Sequence, residues 1–127
     1  MTPDQIVTKF CSALNRTAWD EVMSLVTDDC VYLNVPMEPA IIGPQAICDT
    51  LKGFLGVLGS LHLETLRQVT HGNLVMNERV DYVTPPAGKH YGLPVMGVFE
   101  LRGEKICAWR DYFDLRQLEA GTGLKFT

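Results

Sequence analysis

Leu74-Val75-Met76-Asn77-Glu78-Arg79-Val80-Asp81-Tyr82-Val83 reads as a strand that is largely apolar on both faces yet sets an arginine and an aspartate two residues apart. Side chains on a strand alternate, so residues i and i+2 share a face and lie about 6.6 Å apart along it. Arg79 and Asp81 therefore share a face with Val75 and Val83, while Leu74, Met76, Val80 and Tyr82, broken only by Glu78, take the other. A surface ladder pair would leave one face polar throughout. Charged side chains are rarely buried without a partner. The stretch thus predicts a strand inside a layered protein, with an ion pair turned into a cavity.

Working outward, residues 61–70, 91–101 and 105–113 carry the same strand pattern, with turns at His71-Gly72-Asn73, Pro85-Pro86-Ala87-Gly88 and Arg102-Gly103-Glu104. The first half of the chain is different. Thr2, Pro3 and Gln5 form the start signal of a helix whose Ile6, Val7, Phe10, Ala13 and Leu14 keep helical spacing. Thr17 and Asp20 are expected to cap a short second helix through Val22, Leu25 and Val26, and Thr27-Asp28-Asp29 to turn into a strand over residues 31–35. Gly43-Pro44 opens a third helix that ends near Phe54 or Leu58, loosened by Gly53, Gly56 and Gly59, and Asp114 caps a last helical turn over residues 115–120. Helices first and a strand meander after give an α+β fold. The expected architecture is a curved, mixed but mostly antiparallel sheet forming a cone, with the N-terminal helices packed across its concave face.

Two further stretches aim polar groups at the same cavity. In Tyr32-Leu33-Asn34 the tyrosine and asparagine share a face, and in Trp109-Arg110-Asp111 the aspartate shares one with Cys107, Trp109 and Phe113. Two aspartates and one guanidinium in a dry pocket carry a net charge of −1, or none with one proton shared. Desolvation favours the second state, so one carboxyl titrates high. Arginine's planar fork can bridge two acceptors while staying protonated. The site then offers one proton donor and one acceptor to the same small volume, and Tyr32 and Asn34 can hold a water against the carboxylate. Such general acid–base chemistry is worth about 10²- to 10⁴-fold in rate. It suits addition of water to a strained, apolar electrophile whose leaving oxygen needs a proton, and an epoxide is one. The residues alone leave open which aspartate is acid and which is base.

The stretches Tyr32-Leu33-Asn34-Val35-Pro36, Asn77-Glu78-Arg79-Val80-Asp81, Gly97-Val98-Phe99-Glu100-Leu101 and Trp109-Arg110-Asp111-Tyr112-Phe113-Asp114-Leu115-Arg116 resemble the limonene-1,2-epoxide hydrolase family. The likeness is near-continuous from about Asn77 to Leu118 and colinear toward the N-terminus. It implies a nuclear-transport-factor-2-like fold, a dimer, and one-step hydrolysis without a covalent intermediate. It assigns Asp111 as the base that deprotonates water, Asp81 as the acid that protonates the epoxide oxygen, Arg79 as the bridge between them, and Tyr32 and Asn34 as the water's holders. A substrate pocket is expected from Leu33, Met37, Phe54, Leu58, Val83, Leu93, Val95 and Phe113. With only two residues before the first helix, any extra segment that covers the pocket in relatives is expected to be missing.

Composition narrows the alternatives. The chain has 127 residues, 46% hydrophobic and 20% charged, the profile of a single soluble domain over residues 1–127. A net charge of −4 speaks against a nucleic-acid partner. No apolar run of about 18 residues spans a membrane, and the N-terminus lacks a signal-peptide pattern, so the expected compartment is cytoplasmic. Cys11, Cys30, Cys48 and Cys107 show no CxxC pair and read as reduced thiols. His62, His71 and His90 show no metal-ligand spacing, so neither metal nor cofactor is expected, and the missing histidine on the cluster strands disfavours a covalent aspartyl route. Apolar residues on the face away from Arg79 (Leu74, Met76, Val80, Tyr82, Met96, Val98, Ile106, Ala108 and Tyr112) predict a homodimer built back to back on the sheet. Two rival functions remain. One is an isomerase or cyclase of the ketosteroid-isomerase or polyketide-cyclase type, though this chain has Asn34 near where similar isomerases place a carboxylate. The other is a non-catalytic dimeric binding module.

Overall fold

The computed structural model describes residues 1–126. Thr2 caps helix α1 (Pro3–Asn15): its hydroxyl accepts from the Gln5 backbone N–H at 3.2 Å, and the Gln5 side chain accepts from Thr2 N at 3.0 Å. Ile6, Val7, Phe10, Ala13 and Leu14 are buried along it, as the spacing predicts, and Cys11 joins them. Helix α2 (Trp19–Ser24) follows, then strands β1 (Val26–Asn34) and β2 (Met37–Ile42) and helix α3 (Pro44–Leu58). Strands β3 (Leu61–His71), β4 (Leu74–Val83), β5 (Tyr91–Arg102) and β6 (Lys105–Tyr112) form the meander, and Asp114 caps helix α4 (Leu115–Thr122) by accepting from Gln117 N at 3.1 Å.

The strands join one sheet in the order β2-β1-β6-β5-β4-β3. Every neighbouring pair is antiparallel except β1 with β6, which run parallel. The register shifts at Leu66, the extra residue of β3, and at Cys107, the extra residue of β6, and such bulges bend and twist a sheet. Helices α1, α2 and α3 pack on the inner face and bury Phe10, Val22, Ile47 and Leu51 against Val75, Phe99, Ile106 and Trp109. The α+β class and the curved, mostly antiparallel sheet therefore hold. Among the described residues, no helix is long and apolar enough to cross a membrane.

Four local expectations are corrected. Thr17 does not cap α2; it sits at φ 51° with its hydroxyl donating to the Arg16 carbonyl, and Ala18 takes the cap position. Asp20 instead lies in the first turn, where a carboxylate suits the helix dipole. Thr27-Asp28-Asp29 is strand rather than turn, because Val26 already pairs with Ile106 and the irregular stretch up to Val31 is absorbed within the ladder. Strand β2 is not among the strands the sequence predicts: it is short and carries Pro39, which its place at the edge of the sheet accommodates. Ile106 faces the core, not the outer surface: the shift between Glu100 and Leu101 inverts the alternation at the start of β6.

The opposite edge of the sheet is β3, and α1 closes it. Asn15 Oδ1 accepts from Leu63 N at 2.7 Å while its Nδ2 donates to Leu63 O at 3.0 Å, so one side chain imitates the missing ladder partner. Replacing Asn15 by alanine leaves both backbone groups without a partner; urea unfolding should register a loss of about 1–3 kcal/mol.

Candidate active site

Strand alternation and register together assemble the site. Strand β4 turns Asn77, Arg79 and Asp81 to the inner face, β6 turns Trp109 and Asp111, and β1 turns Tyr32. Asn34 pairs with Asp111 and Tyr32 with Trp109 across the parallel β1–β6 ladder. Gly97 on β5 pairs with Asp111 on one side and Asn77 on the other. Asp111 therefore stands two strands away from the strand that carries Arg79, a separation of about 9.6 Å that a side chain must bridge. The guanidinium bridges it by lying over Gly97, where a Cβ would come within 2.2 Å of Arg79 Nη1.

Arg79 is buried completely and spends its donors on three partners. Its Nε and Nη2 donate to the two oxygens of Asp81 at 3.0 Å each, Nη2 also donates to Asp111 Oδ2 at 3.0 Å, and Nη1 donates to Asn77 Oδ1 at 2.9 Å. Burial opposes the charge, but the carboxylates of Asp111 and Asp81 outweigh it and hold the guanidinium well above its ordinary range. Asp81 moves upward too: burial raises it, Arg79 opposes, and the neighbouring Asp111 adds to the rise. Burial likewise lifts the Tyr32 hydroxyl far above its usual range, with Asp111 adding to the effect, so Tyr32 stays a neutral donor. The Cys11 thiol, packed behind the cluster, is pushed up to about 12 by burial and is no nucleophile at neutral pH.

The second oxygen of Asp111 accepts from Trp109 Nε1 at 2.9 Å. Trp109 in turn stacks on Tyr32 with centroids 3.9 Å apart and planes 15° from parallel. Asn34 Nδ2 donates to the Tyr32 hydroxyl at 2.9 Å. The five polar residues singled out in the sequence thus converge, and Trp109 is a member that reading passed over. The signal existed, since Trp109 and Asp111 are two apart on one strand and the indole N–H needs a buried acceptor.

A cavity of about 670 Å³, counting its open mouth, lies above the cluster. Tyr32, Asn34, Asp81 and Asp111 supply its polar end, and Arg79 lies behind the wall rather than in it. Met37, Phe54, Leu58, Val83, Leu93, Val95 and Phe113 line it as expected. Leu33 does not: it alternates away from Tyr32 and Asn34, onto the outer face of β1. The helices complete the wall with Leu14, Leu51 and Leu118, β3 adds Leu61 and Leu63, and Phe126 closes the end after α4. Helical spacing marks Leu14 and Leu51 as buried but cannot tell wall from core. Among the described residues, no group of three or more His, Cys, Asp and Glu side chains is placed to hold a metal ion.

Residues 1–122 match the family model described as the limonene-1,2-epoxide hydrolase catalytic domain. The chain is 32% identical over 116 residues to epoxide hydrolase EphG of Mycobacterium tuberculosis, spanning 91% of this chain and 75% of that protein. A solved structure of an M. tuberculosis LEH-like epoxide hydrolase superposes with a TM-score of 0.80 at 30% identity, covering 92% of this chain and 86% of that one. A protein of ketosteroid isomerase-like fold from Catenulispora acidiphila gives a TM-score of 0.88 at 22% identity over 96% of both chains. A putative polyketide cyclase from Xanthomonas campestris gives 0.85 at 21%, over 94% of this chain and 95% of that one. At those identities the last two share the fold and decide nothing about chemistry. The family model and the mycobacterial relative do discriminate among the users of this fold, and by both the chain belongs to the limonene-1,2-epoxide hydrolase family.

Proposed function

We propose that the protein hydrolyses a small, apolar epoxide to a vicinal diol in one step, without a cofactor. The observation that carries this reading is the single guanidinium hydrogen-bonded to both Asp81 and Asp111 at one end of an otherwise apolar cavity. A water held by Tyr32, Asn34 and Asp111 gives a proton to Asp111 as its oxygen attacks an epoxide carbon. The carbon–oxygen bond of the ring breaks, and the leaving oxygen takes the proton of Asp81. Asp111 ends protonated and Asp81 ionised, and transfer of one proton from Asp111 to Asp81, directly or through water, restores the starting state. Arg79 stays protonated throughout and stabilises whichever carboxylate carries the charge. The rival isomerase reading needs a basic group on β1, where Asn34 offers only a neutral amide.

The same reading includes a homodimer through the outer face of the sheet. Met76, Met96 and Tyr112 are exposed there in neighbouring strands, with Leu66 and Val69 of β3 beside them. Interleaved ion pairs, Arg110 with Glu100 and Arg67 with Glu78, break the apolar surface into a pattern a second copy can match. Light scattering should return twice the chain mass for the wild type and the chain mass for Met96→Lys.

Diol formation from limonene, cyclohexene and styrene oxides, assayed without metal or cofactor, tests the chemistry. Asp111→Asn should lower turnover by about 10²- to 10⁴-fold with its fold intact by circular dichroism. Absence of diol from both folded proteins, or diol from both at equal rates, refutes the assignment.

Asp81 makes a separate prediction in the free protein. Its native carboxyl holds a proton at pH values where the unfolded chain, near the ordinary 3.8, has lost it. Native protein then binds more protons than unfolded, so this group's contribution to stability falls as pH rises from about 4 toward its raised native value. Urea unfolding across that window should show the fall in the wild type, and Asp81→Asn should lack it.

A further inference from the structure

Arg79 has a partner that the proposed reaction does not use. Asn77, buried beside it, offers Oδ1 to Arg79 Nη1 at 2.9 Å, and its Nδ2 donates to Gln68 Oε1 at 3.1 Å. Gln68 on β3 then donates its Nε2 to Asp4 Oδ1 at 2.8 Å, to the Asp4 carbonyl at 3.2 Å and to Thr8 Oγ1 at 3.2 Å. An amide can be turned either way, so something must decide which end faces the guanidinium. Arg79 offers donors only and takes the oxygen end, and the helix sets the same sense from the far side. Asp4 offers acceptors only, which turns the Gln68 amide nitrogen outward and its oxygen inward. That oxygen selects the nitrogen of Asn77, and the oxygen of Asn77 is left for Arg79. Turning Asn77 over would point its N–H₂ group at a cation in a dry interior, and turning Gln68 over would set its N–H₂ against that of Asn77 and its oxygen against the Asp4 carboxylate.

The geometry points to Gln68 and Asn77 as positioning residues for the acid–base pair: a one-way hydrogen-bond chain from the first turn of α1 keeps an acceptor aimed at Arg79 and so fixes the fork against both aspartates. Gly97 supports this from below. A Cβ there would lie 2.2 Å from Arg79 Nη1 and 2.6 Å from Asn77 Oδ1, so the link between them rests on a bare backbone. Neither Gln68 nor Asn77 lines the cavity, so neither touches substrate. The catalytic consequence rests on the hydrolase reading above; the chain itself does not.

Two substitutions at half-buried Gln68 separate orientation from packing. Gln68→Glu keeps an acceptor for Asn77 Nδ2 but sets a second carboxylate beside Asp4. Gln68→Lys presents donors only, and pairs favourably with Asp4. If Gln68 merely held β3 to α1, the lysine variant would be the better tolerated. The directional chain demands the reverse: Gln68→Glu keeps kcat for epoxide opening within about threefold, while Gln68→Lys loses about 10- to 100-fold in kcat with KM within about twofold. Gly97→Ala should fall with the lysine variant. Side-chain ¹⁵N NMR of the substrate-free protein supplies the independent readout. Arg79 Nη and Asn77 Nδ2 signals should match the wild type in Gln68→Glu, and in Gln68→Lys they should shift, with guanidinium hydrogen exchange at least about tenfold faster. If the wild type opens no epoxide, the hydrolase reading fails and these spectra alone decide the chain. Equal behaviour of the two Gln68 variants in the spectra, or a worse result for glutamate than for lysine in either readout, overturns the proposal.

Discussion

A guanidinium withdrawn from water must find all its acceptors inside the protein, and few residues can supply them without bringing charge of their own. Arg79 solves this with two carboxylates and one amide oxygen. Removing either aspartate would strand part of a buried cation, at a cost of about 3–5 kcal/mol for a broken buried pair. The arrangement is poor value as a stabilising device, since an apolar replacement of similar volume often serves as well. What it does supply is a fixed relation between two carboxyl groups that would otherwise repel. The rest of the sheet can be understood as meeting that one requirement.

Strand order follows from it. β4 and β6 must lie two apart, with a strand between them that yields room, and β5 yields it at Gly97. β1 must run parallel to β6 so that Asn34 and Tyr32 stand level with Asp111 and Trp109. The aromatic pair is more than filler: stacking fixes the indole plane, and the indole N–H fixes the carboxylate of Asp111. Asp111 is thus held from two directions, by a cation on one oxygen and a neutral donor on the other.

Much of this is legible in the sequence because it depends on alternation within one strand. Arg79 with Asp81, and Tyr32 with Asn34, need only a period of two, and the α1 capping box needs only three neighbouring residues. The strip of meander strands and the class of the fold follow from the same local rules. Failures arise where the answer lies between strands. Gly97 has meaning only once its register with Asn77 and Asp111 is known. Ile106 points inward because of a shift in the β5–β6 pairing that no periodicity announces. The capping role of Thr17 fails because its backbone adopts a left-handed conformation, and β2 is short and carries Pro39, which its edge position accommodates. Leu33 is a different kind of miss, since the alternation that pairs Tyr32 with Asn34 already turns it outward.

The cavity's division into one polar end and a long apolar wall has a further bearing on turnover. Opening a three-membered ring converts one weak acceptor into two hydroxyls, each of which asks for partners. On the proposed reaction, the polar end formed by Tyr32, Asn34 and the two aspartates would satisfy the diol's hydroxyls only while the product keeps the pose of its precursor. A diol turned the other way would set a hydroxyl against Leu58, Val83 or Leu93, side chains that offer no acceptor, and burying it there is unfavourable by about 1–3 kcal/mol. On the proposed reaction, the wall that draws an oily molecule out of water therefore disfavours holding the diol made from it, so capture and release turn on the same surface.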